Sequence, residues 1–167
     1  MFEINDYVSY GVHGVCRIIN KEVKVLNKKR VEYYVLEPLG QSGARFYIPV
    51  NNEVASGKLH TLITSDELQK LLSRDVLDGC NWITDENTRK QHYKDILSSS
   101  DRKALMRTVH SLCKYKEQLE LAGKKFHICD ENFLRDAKRL LDSEFSIVLG
   151  IPQSEVSAYV QNILNTD

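Results

Sequence analysis

The hydrophobic period of this chain changes once, and that change constrains the fold more than any single residue does. Between residues 6 and 62 apolar side chains alternate with polar ones, whereas from residue 65 onward they recur every three to four positions. The segments DYVSYG, VCRIINKEVKVL, RVEYYVLEPL and ARFYIPV are rich in Val, Ile, Tyr and Phe, which suit a pleated, half-buried surface. Gly11 and Gly14, the polar run Asn27, Lys28 and Lys29, and the pair Gly40 and Gly43 separate them, so hairpin turns are expected there. Short strands in so small a segment cannot bury both faces of a flat sheet. Closure into a small SH3-like or Tudor-like β-barrel is the expected solution.

The second half reads as a helical bundle. Ser65 with Asp66 and Glu67 forms an N-cap signature ahead of LQKLL, and Gly79 is expected to close that region. A helix is expected from about Thr84 to Leu97, with Ser98, Ser99, Ser100 and Asp101 supplying the break and the next cap. Leu105, Val109, Leu112 and Leu119 then form one stripe of a long helix ending at Gly123. Asp130 is expected to cap a further helix with Phe133, Ala137, Leu140, Leu141 and Phe145 inward and Gly150 as its stop. Pro152 opens the last helix. The predicted class is α+β, with a β-barrel over residues 1–62 and an all-α unit over residues 63–167.

The only tryptophan lies at an unusual place. In NWITDENTRKQHYK, residues 81–94, Trp82 is followed by two acids and then by Arg89, Lys90, His92 and Lys94, a setting too polar for an ordinary core element. Net charge is zero overall, but residues 81–127 carry ten basic against six acidic side chains. The local excess of positive charge therefore begins at the indole.

The order of elements resembles the CarD/CdnL family of bacterial transcription regulators. The resemblance rests on NDYVSYGVHGVCRIINKE, the EYYVLEPL strand and FYIPVNN, then on the Asn-Trp dipeptide, a basic segment ending in Tyr93 and Lys94, the Ser-Ser-Asp break and the long helices. It implies a barrel, similar to the polymerase-interacting domain of transcription-repair coupling factor, that docks on the RNA polymerase β subunit. It also implies a helical unit that contacts promoter DNA at the upstream edge of the bubble and stabilises the open complex. By that resemblance Trp82, Arg89, Lys90, His92 and Lys94 are the DNA-facing candidates, and Lys24, Arg45 and Tyr47 face the polymerase. Lys24 and Tyr47 stand where relatives carry polymerase-contacting arginines; lysine keeps the charge without the bidentate fork, and tyrosine loses the charge. Asp85 and Glu86 bring negative charge near the indole. The bland alternative for Trp82 is packing in a seam between the two units.

Other function classes have weaker support. The segments GxSxG, GxGxxG and a P-loop do not occur, so no enzyme activity is expected. Cys16, Cys80, Cys113 and Cys129 are scattered without a CxxC pair, and free thiols are the expected state. His110 with Cys113 and His127 with Cys129 offer metal-ligand types in a spacing unlike a standard zinc finger, and no metal or other cofactor is expected. MFEINDYVSY has no basic stretch and no apolar run approaches a membrane span, so a cytoplasmic monomer without membrane association is expected. An adaptor, or a module binding RNA or a ribosomal protein, is the alternative function.

Overall fold

The computed structural model describes residues 1–52, 55, 57–78 and 82–166, and the chain divides into two compact units, Met1–Leu62 and Ile63–Asp167. Gly79, expected to end a helical region, and Cys80 lie outside the described residues.

The first unit is an antiparallel sheet of β1 (Tyr7–Tyr10), β2 (Val15–Leu26), β3 (Lys29–Pro38), β4 (Phe46–Pro49) and β5 (Leu59–Thr61), in the order β4-β3-β2-β1-β5. Alternation sets its inner face. Val8, Cys16, Ile18, Tyr34, Leu36, Ile48 and Leu59 form the buried cluster, with Phe2, Tyr10 and Phe46 packed against it. The expected closed barrel is corrected to an open sheet among the described residues. β4, of four residues, and β5, of three, stand at opposite edges without a shared ladder. Short edge strands also limit the unpaired backbone offered to other chains.

The β2–β3 hairpin turns through Asn27 and Lys28, with φ of 48° and 62° between the paired residues Leu26 and Lys29. Two successive positive φ values define a type I′ turn, whose twist matches that of the flanking strands. Gly11, Val12 and His13 form a single 3-10 turn, in which the His13 ring packs 4.4 Å from Phe46 and 5.2 Å from Tyr10.

The second unit contains α1 (Ser65–Leu71), α2 (Arg74–Leu77), α3 (Glu86–Ser98), α4 (Arg102–Leu121), α5 (Ile128–Leu149) and α6 (Gln153–Thr166). The cap of α1 is Thr64 rather than Ser65. Its hydroxyl accepts from the Glu67 amide at 3.2 Å while the Glu67 carboxylate accepts from the Thr64 amide at 2.8 Å, a reciprocal capping box. Asp85 and Asp101 cap α3 and α4, accepting from the amides of Thr88 and Ala104 at 2.9 Å. α5 ends at Gly150, whose φ of 66° and ψ of 32° give the left-handed stop that glycine favours.

Leu68, Leu72, Leu77, Leu112, Ala137, Phe145 and Val156 lie at the centre of this core. One buried carboxylate ties its parts together. Glu144, on α5, accepts from the Ile63 amide at 2.8 Å and from the Arg102 guanidinium at 2.9 to 3.2 Å, joining the start of the unit to the first turn of α4. Among the described residues no helix is long and apolar enough to cross a membrane.

Candidate functional site

Trp82 sits in the irregular segment ahead of α3, and its surroundings are built by one buried ion pair. Arg89, on the first turns of α3, is 6% exposed. Its Nε and Nη2 donate to Asp130 Oδ1 and Oδ2 at 2.7 and 3.2 Å, a bidentate pair with α5. Its Nη1 donates to the carbonyls of Ile83 and Thr84 at 2.9 and 3.3 Å, fixing the backbone that follows the indole. Asp130 also accepts from the Tyr93 hydroxyl at 2.7 Å, and the Tyr93 ring stacks on Phe133 at 4.0 Å. Hydrogen bonding to Asp130 raises the Arg89 pKa further. Burial first, and the Asp130 hydrogen bond second, push the Tyr93 phenol up.

These contacts hold Trp82 at the surface. The indole is 37% exposed, with the Tyr115 ring of α4 at 4.0 Å and 33° and the Arg89 guanidinium 4.8 Å from the ring centre. Its ring partners belong to the helical unit. A small niche beside it is lined by Ile83, Arg89, His92, Tyr93, Thr108 and Leu112 among others. Tyr115 is in turn 6.3 Å from Phe126, over which Lys116 lies at 5.6 Å. An aromatic row thus runs from Trp82 along this part of the unit.

The candidates named from sequence fall in different environments. Arg89 departs from the expectation of a solvent-facing phosphate contact, because its guanidinium is buried against Asp130 and two carbonyls. Lys90 is exposed but paired with Glu86, which raises its pKa and lowers that of Glu86. His92 is half-buried in the niche, and Lys94 is exposed and makes no ion pair among the described residues. Asp85 is engaged as a cap, accepting from the Thr88 amide and hydroxyl, which lowers its pKa. The two acids next to the indole are therefore committed to local partners.

In the first unit Lys24 and Tyr47 come together, with Nζ 3.5 Å from the Tyr47 ring centre and 3.9 Å from Glu22. Arg45 is exposed just before β4. The cation and the ring form one amphipathic patch that reaches from β2 to β4 across the intervening β3.

Residues 2–55 match the family model described as CarD-like/TRCF RID domain. The match spans most of the first unit, which is therefore similar to that domain type. No curated protein matches the chain. The Lys24–Tyr47 patch lies within this CarD-like segment, whereas Trp82 and its supports lie beyond the matched residues.

Three contributors in the helical unit escape a sequence reading. Asp130 looks like a helix cap by residue type, but His127 occupies that position, accepting from the Cys129 amide at 3.3 Å, and Asp130 is buried as the partner of Arg89 and Tyr93. Tyr115 and Phe126 carry no local mark of their association with Trp82. The HxxC and HxC residues do not gather into one cluster among the described residues. His110 lies 3.6 Å from Asp78, while His127 and Cys129 group with Glu86. In that group His127 Nδ1 is already engaged as the cap of α5. Cys16 is buried in the sheet core, which pushes its thiol up to about 11 and leaves it a small apolar side chain.

Proposed function

We propose that this protein is a non-enzymatic transcription regulator that docks on the β subunit of RNA polymerase through its CarD-like first unit and presents Trp82 to promoter DNA at the upstream edge of the melted bubble. The domain type supports an RNA polymerase-interacting, transcription-related protein. The observation that carries the rest is the half-exposed indole on a framework fixed by Arg89, Asp130 and Tyr93.

An indole inserted beside a base step must unstack it, at a cost of a few kcal/mol in intact duplex. At a fork the step is already open. A side chain that fits the fork but not closed duplex shifts the equilibrium toward opening, and about 1.4 kcal/mol of preference changes the ratio tenfold. Zero net charge, and the engagement of Arg89 and Lys90 among the cations closest in sequence to the indole, mean that the isolated chain binds DNA weakly and without sequence preference. Tethering through the first unit raises the effective DNA concentration and makes modest contacts sufficient. One monomer per polymerase suffices for this mechanism.

The same pairing of cations favours a second reading, an adaptor without DNA contact that holds RNA or a ribosomal protein on the first unit. A pull-down of the full chain against the polymerase β lobe, ribosomes and RNA over a salt series separates the two. Selective retention of the β lobe, reduced by a charge reversal at Lys24, supports the regulator. Retention of ribosomes or RNA alone contradicts it.

A further inference from the structure

We infer that Tyr115 is a positioning residue for Trp82, selecting the side-chain orientation in which the indole meets the promoter fork; this inference rests on the reading of Trp82 given above. Trp82 lies in an irregular segment, where no helix or strand limits its rotamer. An unsupported side chain there samples three staggered χ1 wells. Tyr115 removes that freedom. It is carried by α4, three residues after Leu112, which is 1% exposed, so the platform moves with the core while Trp82 itself is on a connecting segment. Ring centres 4.0 Å apart at 33° place the phenol against the indole and leave 37% of Trp82 open to solvent.

Arg89 acts differently. It pins the carbonyls of Ile83 and Thr84, and therefore the backbone after Trp82, but its guanidinium is oriented by Asp130. Arg89 anchors the backbone and also lies 4.8 Å from the indole ring centre, whereas Tyr115 anchors the ring alone. Tyr115 acts only through the indole.

The expected size follows from populations. If the fork-competent rotamer falls from nearly full occupancy to about one in three, apparent affinity for the fork falls about threefold. The phenol hydroxyl takes no part in this, so the ring alone carries the effect.

The test is open-complex lifetime on one promoter with RNA polymerase and the full chain as wild type, Tyr115→Ala, Tyr115→Phe, Trp82→Ala and the double alanine variant. Acrylamide quenching of the sole tryptophan is read alongside. Tyr115→Ala is expected to shorten the lifetime about threefold and to make Trp82 more quenchable, with polymerase binding unchanged. Tyr115→Phe keeps wild-type behaviour, and the double variant matches Trp82→Ala. Tyr115→Leu serves if the alanine variant loses its fold, since it fills space without offering a ring, and it is expected to behave as the alanine variant does. A wild-type lifetime for Tyr115→Ala alongside a shortened one for Trp82→Ala overturns the inference and leaves the function standing. A further loss from Tyr115→Ala in the Trp82→Ala background also overturns it, because Tyr115 then acts independently. An unchanged lifetime for Trp82→Ala overturns the parent reading itself.

Discussion

Arg89 and Asp130, 41 residues apart in the chain, meet as a bidentate ion pair that is almost wholly removed from solvent. The pair joins α3 to α5 and, through the Ile83 and Thr84 carbonyls, fixes the segment carrying Trp82. Removing one partner strands a buried charge, and broken buried pairs cost about 3–5 kcal/mol. Asp130→Ala is therefore expected to destabilise the helical unit by that amount in urea titrations. Arg89→Lys cannot restore the fork of two bonds to Asp130 together with the carbonyl contacts, and it is expected to lower stability while increasing quencher access to Trp82.

Tyr93 gives the helical unit an alkaline limit. Burial and the hydrogen bond to Asp130 hold its phenol protonated well above the ordinary value. A tyrosine in the unfolded chain ionises near pH 10. With the folded pKa raised, the stabilisation is fully present below about pH 10 and is lost as pH rises through the folded value. Chemical denaturation from pH 8 to pH 11.5 is expected to show this decline in wild type, and Tyr93→Phe is expected to reduce it. At neutral pH that variant loses one buried hydrogen bond, about 1 kcal/mol.

The hairpin turn of the first unit yields a prediction of the opposite sign. Lys28 has φ of 62° and carries a Cβ into a backbone region that glycine occupies without strain. Lys28→Gly creates the favoured Asn-Gly type I′ pair and is expected to stabilise the first unit by about 1 kcal/mol. Its thermal midpoint against wild type checks this.

Cations near the indole are expected to differ in their effect on DNA. Lys94 is exposed without an ion pair among the described residues, whereas Lys90 must leave Glu86 before it can meet a phosphate. Lys94→Ala is expected to lower the slope of log affinity against log salt by about 0.9, the value for one phosphate contact on duplex. Lys90→Ala is expected to change it less. Fluorescence anisotropy with labelled promoter duplex over a salt series measures both.

Sequence patterns revealed what depends on neighbours in the chain and missed what depends on distant partners. Alternation in VCRIINKEVKVL and RVEYYVLEPL gave β2 and β3, the polar run after Leu26 gave their turn, and Gly150 gave the end of α5, because each signal is local. The need to cover the faces of the sheet predicts closure, but closure depends on whether the edge strands β4 and β5 pair, and no local pattern records that. Asp130 fits a cap by residue type, yet it satisfies a buried arginine and tyrosine from another helix. Arg89 looked like a phosphate contact for the same reason: charge is visible in sequence, but its counter-charge is not. The position of Trp82 in a polar stretch was legible, and its platform Tyr115 was not, since α4 and the segment ahead of α3 meet only in the folded unit.

The account stands on Trp82 acting outside the core while the first unit holds polymerase. Its most direct test is the lifetime of open complexes formed by reconstituted RNA polymerase with wild-type protein and with Trp82→Ala, after confirming equal polymerase binding. The variant is expected to shorten the lifetime toward that of polymerase alone. A lifetime equal to that of wild type, with polymerase binding intact, would contradict the proposed function.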